Sequence, residues 1–212
     1  MKHAYAVYPL YTRILTPQDD LLDVIAKYTR DVVEPGDVIA IAETVVAITQ
    51  GRAISPDEIR VSLMARFLSL FPQKDGSLAT PEAMQVAIEE AGPVKILLGA
   101  GAALLGKIVG IKGLFYHVAG RDLARIDDIA RTMWPFENYV ILGPKDSAAL
   151  VRDIKEKTGA EAAVVDVNDA YRVDILAATP AVDPQNLIDS LLDNPFGNED
   201  QQTPLVVLKK IK

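Results

Sequence analysis

The spacing of apolar positions changes period several times along this chain, and each change predicts an element. Residues 3–10 alternate small or apolar with aromatic side chains and stop at Pro9, which suits a strand. After a turn at Thr16-Pro17, the apolar positions Leu21, Leu22, Ile25 and Tyr28 follow helical spacing, with Asp19 and Asp20 leading into the first turn. Pro35-Gly36 signals a turn, and residues 37–49, rich in Val, Ile and Thr, predict a buried strand or strand pair ending at Gly51. Ser55-Pro56-Asp57-Glu58 has the form of a capping box with proline at the first helical position, so a helix is expected to run from there to Phe71. Thr80-Pro81-Glu82 repeats that logic for a second helix ended by Gly92-Pro93, and residues 73–79 between the two read as an exposed loop.

The most apolar window is residues 94–111, which also holds Gly99, Gly101, Gly106 and Gly110. It touches the lower length limit for a membrane span, but Lys95 and Lys107 interrupt it and its neighbours are amphipathic, so no membrane helix is expected. Gly101, four residues and Gly106-Lys107 approach a phosphate-binding loop, yet Ile108 stands where a Ser or Thr must hold Mg²⁺, and the intervening Ala and Leu favour helix. A small-residue helix packed closely against a neighbour is the expectation. Residues 113–122 then read as a strand that ends in Gly120, Arg121 and Asp122.

Residues 123–133 predict a short helix carrying Asp127, Asp128 and Arg131, stopped at Trp134-Pro135. A short strand at 138–142, a helix at 147–157 closed by Gly159, and an apolar run at 162–167 give the order strand, helix, strand. That order predicts a parallel crossover unit, in which ligands gather where the strands end, and Asp166, Asn168 and Asp169 lie at such an end. Residues 172–178 read as a returning strand, Asp183-Pro184 caps a helix to Leu192, and a polar loop at 194–204 leads to a last strand at 205–208. The class is mixed α/β, as one domain over 1–212 or with a second subdomain built mainly from about 55–110 or from the C-terminal part.

Composition narrows the chemistry. The chain has 212 residues and no cysteine, which removes disulfides, zinc-thiolate sites, iron–sulfur clusters and thiol catalysis. With His3 and His117 as its two histidines, any divalent ion must be held mainly by oxygen, which points to Mg²⁺, Mn²⁺ or Ca²⁺. A net charge of −7 argues against nucleic acid as a partner, though a local basic pocket could hold a small phosphate ligand. The N-terminus lacks the apolar run of a signal peptide, so a cytoplasmic protein is expected. Asp122, Asp127, Asp128, Asp166 and Asp169 are enough carboxylates for one or two Mg²⁺ or Mn²⁺ ions, while the bland alternative makes them loop and cap residues and Asn168-Asp169 a hairpin turn. His117 is expected as a core or sheet-face histidine rather than a base, and no serine sits on an elbow motif that would support a Ser-His-Asp triad.

Several segments together resemble the γ-glutamyl ligase family of the deazaflavin coenzyme F420, the CofE-like proteins. Residues 15–51, with Gly36-Asp37-Val38 and a closing Gly51-Arg52, are similar to the family's opening. Gly113, Ala119-Gly120 and Asp122 keep the spacing of a family glycine–acid motif, and residues 139–144 with the following helix resemble another of its stretches. The resemblance implies a CofE-like fold, an intertwined homodimer, and a small-molecule ligase. Such an enzyme uses GTP and Mg²⁺ or Mn²⁺ to activate a carboxylate as an acyl phosphate, which the amine of L-glutamate attacks. It further implies Asp122 as a metal ligand, with Asp166, Asn168 and Asp169 in a second metal motif that closes on Arg172. Arg121 and Arg172 become the catalytic cations holding phosphate, and Lys107, Lys112, Gly113 and Gly120 become nucleotide or phosphate contacts. Two departures stand out: the family's Ser-Lys-x-Glu-Gly reads Ala47-Ile48-Thr49-Gln50-Gly51 here, and the threonine of the second metal motif is absent. They leave a second reading open, a repurposed relative that binds nucleotide, metal or a small carboxylate.

Overall fold

The computed structural model describes residues 5–72, 78–111, 113–126, 134–168, 171–197 and 201–211, with the Arg121 side chain also outside the description. In chain order its elements begin with β1 (Tyr5–Leu10), α1 (Leu21–Thr29), β2 (Val38–Ala42) and α2 (Glu43–Thr49). There follow β3 (Ala53–Ile54), a 3-10 turn (Pro56–Glu58), α3 (Leu63–Leu68), α4 (Pro81–Ala91), α5 (Pro93–Val109) and α6 (Leu114–Ala119). A second 3-10 turn (Arg121–Arg125), β4 (Val140–Ile141), α7 (Ser147–Thr158), β5 (Glu161–Asn168), β6 (Arg172–Ala178), α8 (Pro184–Leu191) and β7 (Leu205–Lys210) complete the order. The class is the expected mixed α/β. The chain divides into two compact units, one of Met1–Gly51, Thr132–Trp134 and Pro144–Lys212, the other of Arg52–Arg131 and Pro135–Gly143.

The first unit is built on a five-stranded sheet of order β1-β7-β2-β5-β6, in which β2 runs parallel to β5 and every other neighbour is antiparallel. Successive side chains of a strand face opposite sides, and both sides here are covered. Ile39, Ile41, Ala162, Val164 and Leu205 pack with residues of α1, α2 and α7 on one face, while Val38, Ala40, Ala163, Val165, Val206 and Leu208 pack with Leu187 and Leu191 of α8 on the other. This two-sided burial explains why β2 and β7 are written as continuous apolar runs.

Asp37 sets the start of β2. Its carboxylate is 5% exposed and accepts from the Glu34 amide at 2.9 Å and from the Lys210 amide of β7 at 3.3 Å. Its backbone carbonyl accepts from Glu161 of β5 at 2.9 Å, so one residue ties the Pro35-Gly36 turn to both strands beside β2. Ahead of α1, Arg13 pairs with Asp19 and holds its carboxyl down at about 2, helped by the Thr16 amide. Asp20 then caps the helix by accepting from Asp23 at 3.0 Å.

Residues 43–49 form α2 and not the expected continuation of a strand. The run buries Val45, Val46, Ala47 and Ile48, and an apolar run this short suits either conformation until the packing decides. The predicted parallel unit of β4, α7 and β5 is also corrected. β4 pairs antiparallel with β3 in the second unit, and the parallel partner of β5 is β2.

In the second unit, the helix expected from Ser55 to Phe71 breaks in two. Ser55 makes no side-chain cap and leads a single 3-10 turn, and the chain restarts at Ser62, which accepts from Ala65 at 3.1 Å to open α3. The helix predicted from Thr80 forms as α4, its cap accepting from Ala83 at 3.2 Å. α5 is the expected small-residue helix. A Cβ at Gly99 would lie 2.8 Å from the Ala119 Cβ, and one at Gly106 would lie 2.6 Å from the Ile111 carbonyl and 2.9 Å from Leu114, so glycine is what lets α6 lie against α5. No single helix among the described residues is long and apolar enough to cross a membrane.

The strand expected over 113–122 is helix α6 instead. Gly113 and Gly120 bound it at φ of 80° and 126°, backbone that suits glycine. Phe115, Tyr116 and Ala119 turn inward at helical spacing, and His117, expected in a core or on a sheet face, is exposed. The residues expected as the acidic end of the following helix, Asp127 and Asp128, and the loop at 73–77 lie outside the described residues.

Two substitutions test these supports. Asp37→Ala leaves two strand-end amides without their acceptor and is expected to cost about 2–3 kcal/mol in chemical denaturation. Gly106→Ala forces a Cβ onto a backbone carbonyl and is expected to destabilise by about 1–3 kcal/mol, although alanine is the better helix former.

Candidate functional site

β5 and β6 form a hairpin whose register sets Asp166 opposite Asp174, Val167 opposite Val173, and Asn168 opposite Arg172. Val167 and Val173 pack toward the α8 side, which leaves Asp166, Asn168, Arg172 and Asp174 on the other face, all of them exposed. A bulge between Val164 and Val165 precedes this polar end. The position is the carboxyl end of a parallel strand: Ala42 of β2 pairs with Val165, and one residue further β2 turns into α2 while β5 runs on to Asp166.

At this end of the hairpin two carboxylates stand directly opposite each other in the ladder. Arg172 sits on the same face one pair away, beside the Asn168 amide. The sequence reading named Asp166, Asn168 and Arg172, and the fold brings these three together. It missed Asp174, whose only signal was the alternation of Arg172, Val173, Asp174 and Ile175, a strand pattern with no register attached. Asp169 lies outside the described residues.

The other named residues lie in the second unit. Asp122 is exposed in the first turn of the 3-10 segment that follows Gly120, held there by buried Leu123 and Ile126. Lys107 is exposed in the last turn of α5, and Gly113 opens α6. Lys112 and the side chain of Arg121 lie outside the described residues. Among the described residues no group of three or more His, Asp or Glu side chains is placed to hold a metal ion. The donors on the hairpin face are all oxygen, the hard ligands that Mg²⁺ and Mn²⁺ take, and Mg²⁺ needs one or two carboxylates beside substrate phosphates.

The altered 47–51 segment is structural in this chain. Ala47 and Ile48 are buried in α2, where a lysine head group would lose its water. Gln50 ends the helix and clamps the backbone of Lys145, donating to its carbonyl and accepting from its amide, each at 2.8 Å. A glutamate could accept but not donate there. In the second unit Arg52 donates to the Gly143 carbonyl at 2.7 Å and pairs with Glu90 at 3.1 Å, fastening the β3–β4 pair to α4.

The first unit is thus a mixed sheet with a polar, oxygen-rich face at the end of its parallel strand pair. The model of the F420-0:Gamma-glutamyl ligase family matches residues 9–179, and the chain belongs to that family. A coenzyme F420:L-glutamate ligase from Methanopyrus kandleri is 40% identical over 79 residues, which is 37% of this chain and 29% of that relative. The chain thus aligns with under a third of that relative's length. The family match ends at Thr179, just past β6, so α8 and β7 lie beyond it although β7 is the strand between β1 and β2.

Gln50→Glu removes one of the two clamp bonds at an exposed position. It is expected to lower stability by about 0.5–1 kcal/mol, measured by urea denaturation, with Gln50→Ala costing slightly more.

Proposed function

We propose that this protein is an amide-forming ligase that adds L-glutamate to a deazaflavin-type carboxylate, using GTP and Mg²⁺ or Mn²⁺. The observation that carries the reading is the family match over residues 9–179, joined to the Asp166, Asn168, Arg172 and Asp174 face at the end of the parallel strand pair. A carboxylate oxygen of the acceptor attacks the γ-phosphorus of GTP, and GDP leaves. The glutamate nitrogen then attacks the acyl carbon, losing a proton as phosphate departs. In the first unit Arg172 would hold phosphoryl oxygens, and in the second the family resemblance gives Arg121, Lys107, Lys112, Gly113 and Gly120 phosphate-contact roles. Within the first unit Asp166, Asn168, Asp169 and Asp174 would supply oxygen donors for a metal ion, and the family resemblance gives Asp122 of the second unit a metal-ligand role of its own. A bound Mg²⁺ or Mn²⁺ would supply charge neutralisation for the phosphates.

A second reading, a relative that binds nucleotide or carboxylate without turnover, is favoured by the 47–51 segment, where Ile48 is buried and Gln50 serves the backbone. Under either reading the protein is cytoplasmic, acts on small molecules and forms the homodimer that the family resemblance implies.

Incubation with GTP, L-glutamate, Mn²⁺ and a deazaflavin carboxylate, assayed for GDP, phosphate and the amide product, separates the two readings. Under the ligase reading product forms, and Asp122→Ala and Asp174→Asn each lower kcat by about 100-fold or more. Turnover untouched by both substitutions overturns the site. Tight Mn²⁺-dependent GDP binding with no product identifies the binding relative instead.

A further inference from the structure

Among the described residues, Asp146, Tyr171, Asn194 and Gln202 are the residues other than glycine that hold positive φ. Left-handed backbone crowds Cβ against the following carbonyl, and Asp and Asn tolerate it because a short polar side chain bonds locally. At Gln202 the backbone is tied, its carbonyl accepting from the Thr12 amide at 2.9 Å. Tyr171 has neither support. It stands at φ 57° and is 70% exposed, and among the described residues its ring has no hydrogen bond and no aromatic partner.

The conformation follows from the hairpin. Register pairs Asn168 with Arg172, so three residues close the loop, and the third residue of such a loop takes left-handed backbone. Glycine suits that place without strain, whereas a tyrosine there costs the fold stability, and residues held in such backbone collect at ligand sites. The place is the tip of the face formed by Asp166, Asn168, Arg172 and Asp174. Adjacent Cα atoms are about 3.8 Å apart, so a ligand gripped by Arg172 comes within reach of the Tyr171 ring. A phenol ring beside a guanidinium at the edge of a polar face matches one ligand chemistry, a planar ring that carries an anionic group: the ring stacks and the anion pairs.

We propose that Tyr171 is a stacking residue for the planar heteroaromatic ring of the ligand whose phosphate or carboxylate Arg172 takes. The strained backbone is retained because the side chain it presents binds that ring. A nucleotide base and a deazaflavin both offer this chemistry, and both are open to the test below. The inference rests on the small-molecule reading of the hairpin face; it requires binding there and not turnover.

Isothermal titration of the full chain, in the presence of Mn²⁺, with GDP, with a deazaflavin carboxylate and with inorganic tripolyphosphate compares ligands with and without a ring. Tyr171→Ala is expected to weaken a ring-bearing ligand by about 10-fold or more, and Tyr171→Phe to hold it within about 2-fold. Neither alters tripolyphosphate binding, whereas Arg172→Gln weakens the ring-bearing ligand and tripolyphosphate alike. Whichever of GDP and the deazaflavin loses affinity in Tyr171→Ala is the source of the ring. Tyr171→Gly relieves the backbone and is expected to raise the thermal midpoint by about 1–3 °C while weakening binding as alanine does. Unchanged affinity of Tyr171→Ala for both ring-bearing ligands overturns this inference alone and leaves the functional reading standing. A lowered midpoint for Tyr171→Gly, or tripolyphosphate binding lost in Tyr171→Ala, shows the ring supporting the fold and overturns it as well. If the native chain binds neither ring-bearing ligand, the functional reading fails and this inference with it.

Discussion

The placement of β2 is the constraint on which the first unit depends. Val38, Ile39, Ala40 and Ile41 are almost wholly withdrawn from solvent, and a strand buried on both faces and both edges has no water to accept a misplaced backbone group. Asp37 resolves this at the entrance. Its carboxylate satisfies the Glu34 and Lys210 amides and its carbonyl takes the Glu161 amide, so the turn, β7 and β5 are all registered against β2 by one residue. At the other end of the strand, Ala42 leads straight into α2, and β5 continues past it, paired with β6, to the acidic hairpin end. The register fixed at Asp37 therefore sets how far β5 runs past β2 to Asp166, and the pairing of β5 with β6 sets Asp174 opposite it.

The second unit depends on close approach in place of register. Gly99 and Gly106 remove side chains where Ala119, Ile111 and Leu114 arrive, and α6 with the 3-10 turn that carries Asp122 is seated by that contact. Glycine in a helix costs about 1 kcal/mol relative to alanine, and the packing it permits offsets the cost. The two glycines on the buried face of α5 thus admit a neighbour, whereas a Cβ at Gly101 would meet nothing within 4 Å among the described residues.

The departure from the family pattern at residues 47–51 illustrates why a residue change must be placed before it is interpreted. In sequence, an isoleucine and a glutamine standing for a lysine and a glutamate look like lost charges. In the fold, Ile48 belongs to the core that α2 buries, and the Gln50 amide uses both its donor and its acceptor on the Lys145 backbone. The substitution is consistent with its surroundings in the fold.

Local pattern alone determined α1, α4, α5, α7 and α8, because each has a cap or a glycine stop next to an apolar spacing of helical period. It also determined β1, β6 and β7, and the absence of cysteine limited any metal to oxygen ligands. It put Asp166, Asn168 and Asp169 forward at one strand end, and the family resemblance added Arg172. What only the tertiary structure decided were the runs whose spacing suits two conformations. Residues 43–49 and 114–119 became helices because each buries its apolar residues that way against a sheet or a glycine-bearing helix, a choice no local propensity of a few tenths of a kcal/mol can make. Pairing was likewise beyond the sequence: β5 lies beside β2 and not β4, and Asp174 faces Asp166, because register comes from contacts between residues far apart in the chain.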